Sequence, residues 1–362
     1  MKAVIIAGGL GTRLRPLTYN TPKPIVPVAN RAFTIHQIEL LRQHGITEII
    51  LNLHYLSDNI KSILDDGKDL GVKLYYSIEE HPLGTAGAVK NAEQFFDDQP
   101  MVVFNGDVLT DINISQIIDY HKKKKARVTL TLTRVEDPTA YGLILTDKEG
   151  KVSHFIEKPS WEQLANLSSG GPADTINAGI YVLDPKIFRD VPAGVEYSFE
   201  RQLFPELLEQ GAPIYGYISD RYWIDIGKPG QYMSAHEAIL RNEVAVRVFG
   251  ARGERGVRIG ENARIDKTAK LLGPAIIGRN VALGAGTRIK DYTVLGDGVS
   301  VGEEATLEQA IVWAGTRIGN RVSLNDCIVG FNCVIEDNVT VGGGVVLADN
   351  SIIRKGSLIC SK

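Results

Sequence analysis

Ala275-Ile276-Ile277-Gly278-Arg279-Asn280-Val281-Ala282-Leu283-Gly284-Ala285-Gly286-Thr287-Arg288-Ile289 repeats its pattern every six residues. A bulky aliphatic recurs (Ile277, Leu283, Ile289), and a small or β-branched residue sits two before it (Ala275, Val281, Thr287). Followed outward, the aliphatic position runs through Ile259, Ile265, Leu271, Leu295, Val301, Leu307 and, with a larger ring, Trp313. A one-residue deletion then moves it to Ile318 and Leu324. A second deletion moves it to Val329, Ile335, Val341, Leu347, Ile353 and Ile359. The companion slot holds Val257, Ala263, Ala269, Thr293, Val299, Ala305 and Ile311, and later Cys327 and Cys333. A fixed short period is the mark of a repeat architecture.

Three hexads close one triangular coil. The aliphatic points into a narrow prism, the small residue fits beside it, and glycine or a short polar residue turns the corner. Coils stacked at about 4.8 Å form a rod roughly 30 Å long from the eighteen hexads, which make six coils. Glycine suits such corners, and proline would interrupt the ladder. Composition agrees: 18 of the 37 glycines lie after residue 240, but only one of the 15 prolines, Pro274. Residues 257–359 resemble the left-handed parallel β-helix of the hexapeptide-repeat proteins. Trp313, just before the first slip, is expected to plug a widened coil. Cys327 and Cys333 are expected to be packing residues.

Residues 1–240 obey other rules. Strands are expected at Lys2–Ala7, Glu48–Leu53, Val72–Ile78, Met101–Asn105, Val128–Val135, Leu143–Thr146, Val152–Glu157 and Ala178–Leu183. Helices are expected at Thr34–Gly45, Leu56–Leu64, Thr85–Phe96 and Asn113–Lys125. This alternation predicts an α/β domain with a mostly parallel sheet. The polar stretch 160–175 reads as a surface loop. The expected division is a catalytic domain over 1–240, a linker over 241–256 and a β-helix over 257–362.

With 40 Lys+Arg against 43 Asp+Glu, the chain has no global basic field, so nucleic-acid binding has no compositional support. Three cysteines and no long apolar run fit a soluble, cytoplasmic protein without disulfides or a membrane partner. An anionic ligand must therefore be met by local positive charge.

That charge stands at the end of the first strand: Gly8-Gly9-Leu10-Gly11-Thr12-Arg13-Leu14-Arg15-Pro16, then Pro22-Lys23-Pro24. Glycines let backbone N–H groups approach a phosphate chain, and two arginines and a lysine follow at once. The spacing is not that of a Walker A loop, and the bulky Arg13 and Arg15 do not suit the dinucleotide fingerprint.

The stretch resembles the signature of the sugar-1-phosphate nucleotidylyltransferases. Further blocks of that family follow in order: Pro82-Leu83-Gly84-Thr85-Ala86-Gly87, Phe104-Asn105-Gly106-Asp107, Tyr141-Gly142, Glu157-Lys158-Pro159, Asn177-Ala178-Gly179-Ile180-Tyr181 and Trp223-Ile224-Asp225-Ile226-Gly227. The resemblance implies a Rossmann-like, GT-A-like sheet whose substrates are a nucleoside triphosphate and a sugar-1-phosphate. It places the nucleotide on Ala7, Gly8, Gly9, Gly11, Thr12, Arg13, Glu79, Leu83 and Gly84. It places the sugar phosphate on Gly142, Glu157, Lys158 and Asn177, and Mg²⁺ on Asp107 and Asp225. Arg13 and Lys23 are the expected catalytic cations, and Arg15 is either a phosphate contact or scaffold. The nucleophile is already a phosphate oxygen, so no general base is required.

The resemblance also puts the base reader five residues before Gly84. A glutamine there suits uracil or thymine, whereas Glu79 is a pure acceptor that suits the donors of guanine. The best expectation is GTP with mannose-1-phosphate; the alternative is UTP or dTTP with glucose-1-phosphate. A non-catalytic regulatory subunit is the alternative of another class, but such subunits tend to lose the signature cations that this chain keeps. An acyltransferase β-helix would use a histidine base, and all seven histidines precede residue 241. The β-helix is expected to help organise a homo-oligomer.

Overall fold

The computed structural model describes residues 1–167 and 174–361. The chain divides into two compact units: Met1–Gly9 with Gln37–Trp223, and Leu10–His36 with Ile224–Lys362. The first passage between units falls inside the glycine loop, at the Gly9–Leu10 bond.

The first unit is built on a nine-stranded sheet. Ala3–Ile6 lies at its centre, parallel to Glu48–Leu53 on one side and Met101–Asn105 on the other; Lys73–Ile78 extends the parallel set beyond Glu48–Leu53. Ala3, Val4, Ile5, Ile49, Ile50, Val102 and Val103 are all fully buried, as expected of parallel strands covered on both faces. Beyond Met101–Asn105 the sheet becomes antiparallel through Thr175–Leu183, which pairs with Met101–Asn105 and Val128–Arg134. The strands Glu48–Leu53, Met101–Asn105 and Val152–Glu157 have the expected bounds.

Four parallel strands end along one edge and deliver Gly8, His54, Glu79 and Asp107 to it. Ligands of open α/β sheets bind beyond such carboxyl ends. Part of the expected loop over 160–175 is a helix, Trp161–Leu167. Ser160 and Gln163 form a reciprocal cap: Gln163 N donates to Ser160 Oγ, and Ser160 N donates to Gln163 Oε1. The S-x-x-Q signature of a helix start was present in the sequence. Residues 168–173 of that expectation lie outside the described residues.

The second unit contains the β-helix. Its strands pair in parallel at an offset of one coil, as in Arg264↔Ala282, Lys270↔Arg288 and Ile276↔Val294. The aliphatic positions fill the prism, and Cys327 and Cys333 are buried among them. The register departs from expectation at one place. Leu295 pairs with Val312, so Val312, and not Trp313, occupies the interior position. The small slot is then Ala310 in place of Ile311. The first shortening therefore falls between Leu307 and Val312, one hexad earlier than the sequence pattern suggested. Both shortened hexads let one strand run through the corner, at Thr306–Val312 and Ser323–Val329, turning on left-handed Gln309 (φ 46) and Asp326 (φ 47).

Trp313 therefore points out of the prism instead of plugging it. The outward residues of that face, Ile276, Val294, Ile311 and Ile328, are apolar and buried. Equivalent positions on the other two faces include Arg264, Arg317, Lys270 and Arg288, all exposed. The helix Pro229–Leu240 lies along the apolar face, where Met233, Ile311 and Ile328 line a shared cleft.

Candidate active site

In the first unit, Ala7 N donates to Asn52 O (2.9 Å), which carries the chain off the first strand. A side chain on Gly8 would begin 3.0 Å from Glu79 Oε1 and 3.4 Å from His54 Cβ, while Gly9 faces open space. Gly9 is exposed, so the loop backbone is open to an approaching ligand there.

Glu79 is buried. Its Oε2 accepts from Leu83 N (3.1 Å), and its Oε1 makes no hydrogen bond among the described residues. Burial raises its carboxyl pKa, with the Leu83 N–H and the nearby His54 and His81 opposing. A buried acceptor atom without a donor is costly unless a ligand supplies one.

Leu83 and Gly84 begin the helix Gly84–Asn91. Gly84 has φ +69, and a Cβ there would fall 2.8 Å from Tyr197 O; a Cβ on Gly87 would meet Val195 O at 2.6 Å. These glycines allow the segment Val195–Tyr197 to pass over the helix start.

Asp107 follows Gly106, whose Cβ would meet Ile6 O at 2.4 Å. The turn is bracketed by Gln37: Nε2 donates to Asn105 O (2.9 Å) and Val108 O (3.0 Å). Sequence reasoning missed Gln37. Nothing local singled it out, because Thr34, His36 and Glu39 of the same helix Phe33–Gln43 are also buried polar residues.

The expected sugar residues gather. A Cβ on Gly142 would begin 3.0 Å from Glu157 Oε2. Lys158 adopts a left-handed backbone (φ 50), its N–H donates to Tyr141 O, and its exposed ammonium lies 3.8 Å from Glu157 Oε1. Asn177 Nδ2 donates to Tyr181 Oη (2.9 Å), and Asn177 Oδ1 accepts from Gly179 N.

Glu200, which sequence reasoning also missed, completes this cluster. It accepts from Thr85 Oγ1 (2.9 Å), Ser198 Oγ (2.7 Å) and Tyr181 Oη (3.4 Å). It thereby links the Leu83–Gly87 block to Asn177. Burial raises the Glu157 pKa, and the like charge of Glu200 adds to the rise.

In the second unit, Gly11 (φ +62) opens the short turn Thr12–Leu14, and Thr18 Oγ1 donates to Gly11 O (2.7 Å). A Cβ on Gly11 would lie 3.2 Å from both Lys23 Cβ and Thr18 Cγ2, so the glycine lets the two cationic segments close together. Arg15 packs over the Tyr19 ring at 5.2 Å, which favours the scaffold reading. Gly227 does for Arg13 and Asp225 what Gly11 does for Lys23. A Cβ there would fall 2.7 Å from Asp225 Oδ2 and 3.1 Å from Arg13 Cζ. Gln231 Nε2 holds the other carboxylate oxygen, Asp225 Oδ1, at 2.5 Å. Gln231 is a third residue that sequence reasoning did not find.

Residues 2–242 match the family model described as nucleotidyl transferase, and residues 254–359 match the EIF2B subunit epsilon LbH domain. The chain belongs to the nucleotidyl transferase family. This is the family that the glycine loop and its six blocks resemble, and its reaction class is sugar-1-phosphate nucleotidylyl transfer.

The chain is 38% identical to a mannose-1-phosphate guanylyltransferase of Mycobacterium tuberculosis, over 85% of this chain and 83% of that one. It is 33% identical to a UTP–glucose-1-phosphate uridylyltransferase of Synechocystis, over 94% and 90% respectively. Among solved structures, HddC from Yersinia pseudotuberculosis complexed with GMP-PN matches with a TM-score of 0.54 and 31% identity. That match covers 65% of this chain and 97% of HddC. No helix among the described residues of this nucleotidyl transferase is long and apolar enough to cross a membrane.

Proposed function

We propose that this nucleotidyl transferase joins GTP and mannose-1-phosphate to give GDP-mannose and pyrophosphate. The carrying observation is Glu79: a buried carboxylate against Gly8 whose Oε1 has no donor among the described residues. Guanine presents N1–H and an exocyclic amine, two donors for one carboxylate; uracil and thymine present an acceptor–donor–acceptor edge instead. The Mycobacterium tuberculosis relative and the GMP-PN bound in the HddC structure support the same choice.

The chemistry assigns roles to the chain's own groups. A sugar-phosphate oxygen attacks the α-phosphorus in line, the bond to the β-phosphate oxygen breaks, and pyrophosphate leaves. Arg13 neutralises the β- and γ-phosphates and the charge that grows on pyrophosphate. Lys23 spans the α-phosphate and the sugar phosphate, and Lys158 grips the sugar phosphate. Glu157 accepts from sugar hydroxyls, beside Asn177 and Gly142. Asp107 and Asp225 are assigned to Mg²⁺. Their hard carboxylate oxygens suit it. When bound, the ion supplies charge neutralisation on the phosphates.

A pyrophosphate-release screen of four nucleoside triphosphates against mannose-, glucose-, galactose- and N-acetylglucosamine-1-phosphate tests the reading. GTP with mannose-1-phosphate should give the highest kcat/KM. A higher value for UTP or dTTP with glucose-1-phosphate would establish the second reading, which the Synechocystis relative favours. Release with no pair would point to a regulatory subunit.

A further inference from the structure

Three anchors fasten the hairpin Pro27–Ala32 within the second unit. Its strands Pro27–Val28 and Arg31–Ala32 are joined by Ala29 (φ 49) and Asn30 (φ 62), a left-handed pair that an alanine adopts only under restraint. Asn30 Nδ2 donates to Leu295 O of the β-helix (2.7 Å). Ala29 N donates to His236 Nε2 (3.2 Å). The third anchor is Tyr232, in the helix Pro229–Leu240. Its hydroxyl donates to Pro27 O and accepts from the indole Nε1 of Trp313 (2.9 Å). Tyr232 is fully buried and Trp313 nearly so, with Phe331 packed on the indole at 4.7 Å.

Each fastened segment carries a residue assigned above. The chain entering the hairpin runs from Arg13 through Lys23 to Pro27. The residue before Tyr232 is Gln231, which holds Asp225. Arg13 and Asp225 in turn meet across Gly227. A tyrosine hydroxyl has one proton to give, so the donor Trp313 and the acceptor Pro27 O are set by a single geometry.

We propose that Tyr232 is a positioning residue through which Trp313 of the β-helix sets Arg13, Lys23 and Asp225. This rests on the assignment of those three residues to nucleotide and metal. On this view the repeat domain is part of the nucleotide-binding machinery. It also explains why the first shortened coil matters: an inward Trp313 could not reach the hydroxyl.

The test uses the full chain. Tyr232→Phe removes the hydroxyl and keeps the ring against His236; Trp313→Phe removes the donor and keeps an aromatic against Phe331. GTP binding is measured calorimetrically with Mg²⁺ and without sugar phosphate (UTP replaces GTP if the screen favours it). Turnover is measured separately. Each variant should bind nucleotide about tenfold more weakly, and the double variant no more weakly than Tyr232→Phe, because the substitutions break one relay. KM for sugar-1-phosphate should rise less than the nucleotide Kd, since of the displaced groups only Lys23 is assigned to the sugar phosphate directly, while Gly142, Glu157, Lys158 and Asn177 belong to the first unit.

Nucleotide affinity within about twofold of wild type in both folded variants would overturn the proposal, as would equal losses for both substrates. Pyrophosphate release by the wild type tests the functional reading separately, because that outcome does not depend on either substitution.

Discussion

Glu79 Oε1 lies 3.0 Å from the point where a side chain on Gly8 would begin. The end of one parallel strand and the glycine loop at the end of another therefore share one small space. A carboxylate fills it as an acceptor only, whereas an amide of the same shape could also donate. Glu79→Gln should lower kcat/KM for GTP by about tenfold, the loss of one charge-assisted hydrogen bond, and raise the ratio for UTP or dTTP. An unchanged nucleotide profile would remove Glu79 as the base reader.

Asp107→Asn and Asp225→Asn keep shape and lose charge. Each should reduce kcat by at least about a hundredfold, because charge stabilisation is the main catalytic term in phosphoryl transfer. Circular dichroism should be unchanged. EDTA should stop pyrophosphate release by the wild type and added Mg²⁺ restore it. Full turnover in either variant would refute that metal assignment.

Gln37 reaches Asp107 only through backbone. Gln37→Leu leaves the buried carbonyls of Asn105 and Val108 without their donor and should cost about 2 kcal/mol of stability, read by urea denaturation. It should also lower kcat, with little change in KM for the sugar phosphate. A stability loss with normal kcat would reduce Gln37 to scaffold.

His236 makes acid sensitivity predictable. Its Nδ1 faces Tyr232 O (2.9 Å) and must carry the proton, while Nε2 accepts from Ala29 N. The ring is therefore neutral, and burial holds its pKa down at about 4. The unfolded chain takes up this proton below about 6.5 and the folded chain only below about 4. The stability involved is complete above pH 6.5 and is lost as pH falls toward 4, up to about 3 kcal/mol. Urea denaturation at pH 7 and pH 5 should show the wild type losing about 2 kcal/mol more than His236→Gln over that interval. Equal losses in both would show that the ring does not titrate in this range.

Local rules made much of the molecule legible from the residues alone. The six-residue period and the parallel strands depend on neighbours close in sequence or on one repeated pattern. So do the assigned residue types, since phosphate chemistry calls for cations and a hard metal calls for carboxylates. The sequence alone thus determined the two architectures, the family and the reaction class.

Tertiary structure decided what depends on segments far apart. A one-residue deletion at a coil corner can be absorbed on either side of that corner. Only the pairing of Leu295 with Val312 puts Trp313 outside the prism. Gln37 and Glu200 act through partners 68 and 115 residues away, and no local period marks a polar side chain for such a bond. Leu10–His36 follows the first strand directly in sequence, yet it packs in one compact unit with Ile224–Lys362. Hydrogen bonds from Trp313 to Tyr232, from Tyr232 to Pro27 and from Ala29 to His236 join three distant stretches of chain. Their value comes from burying every donor with its acceptor, which only the folded arrangement can do.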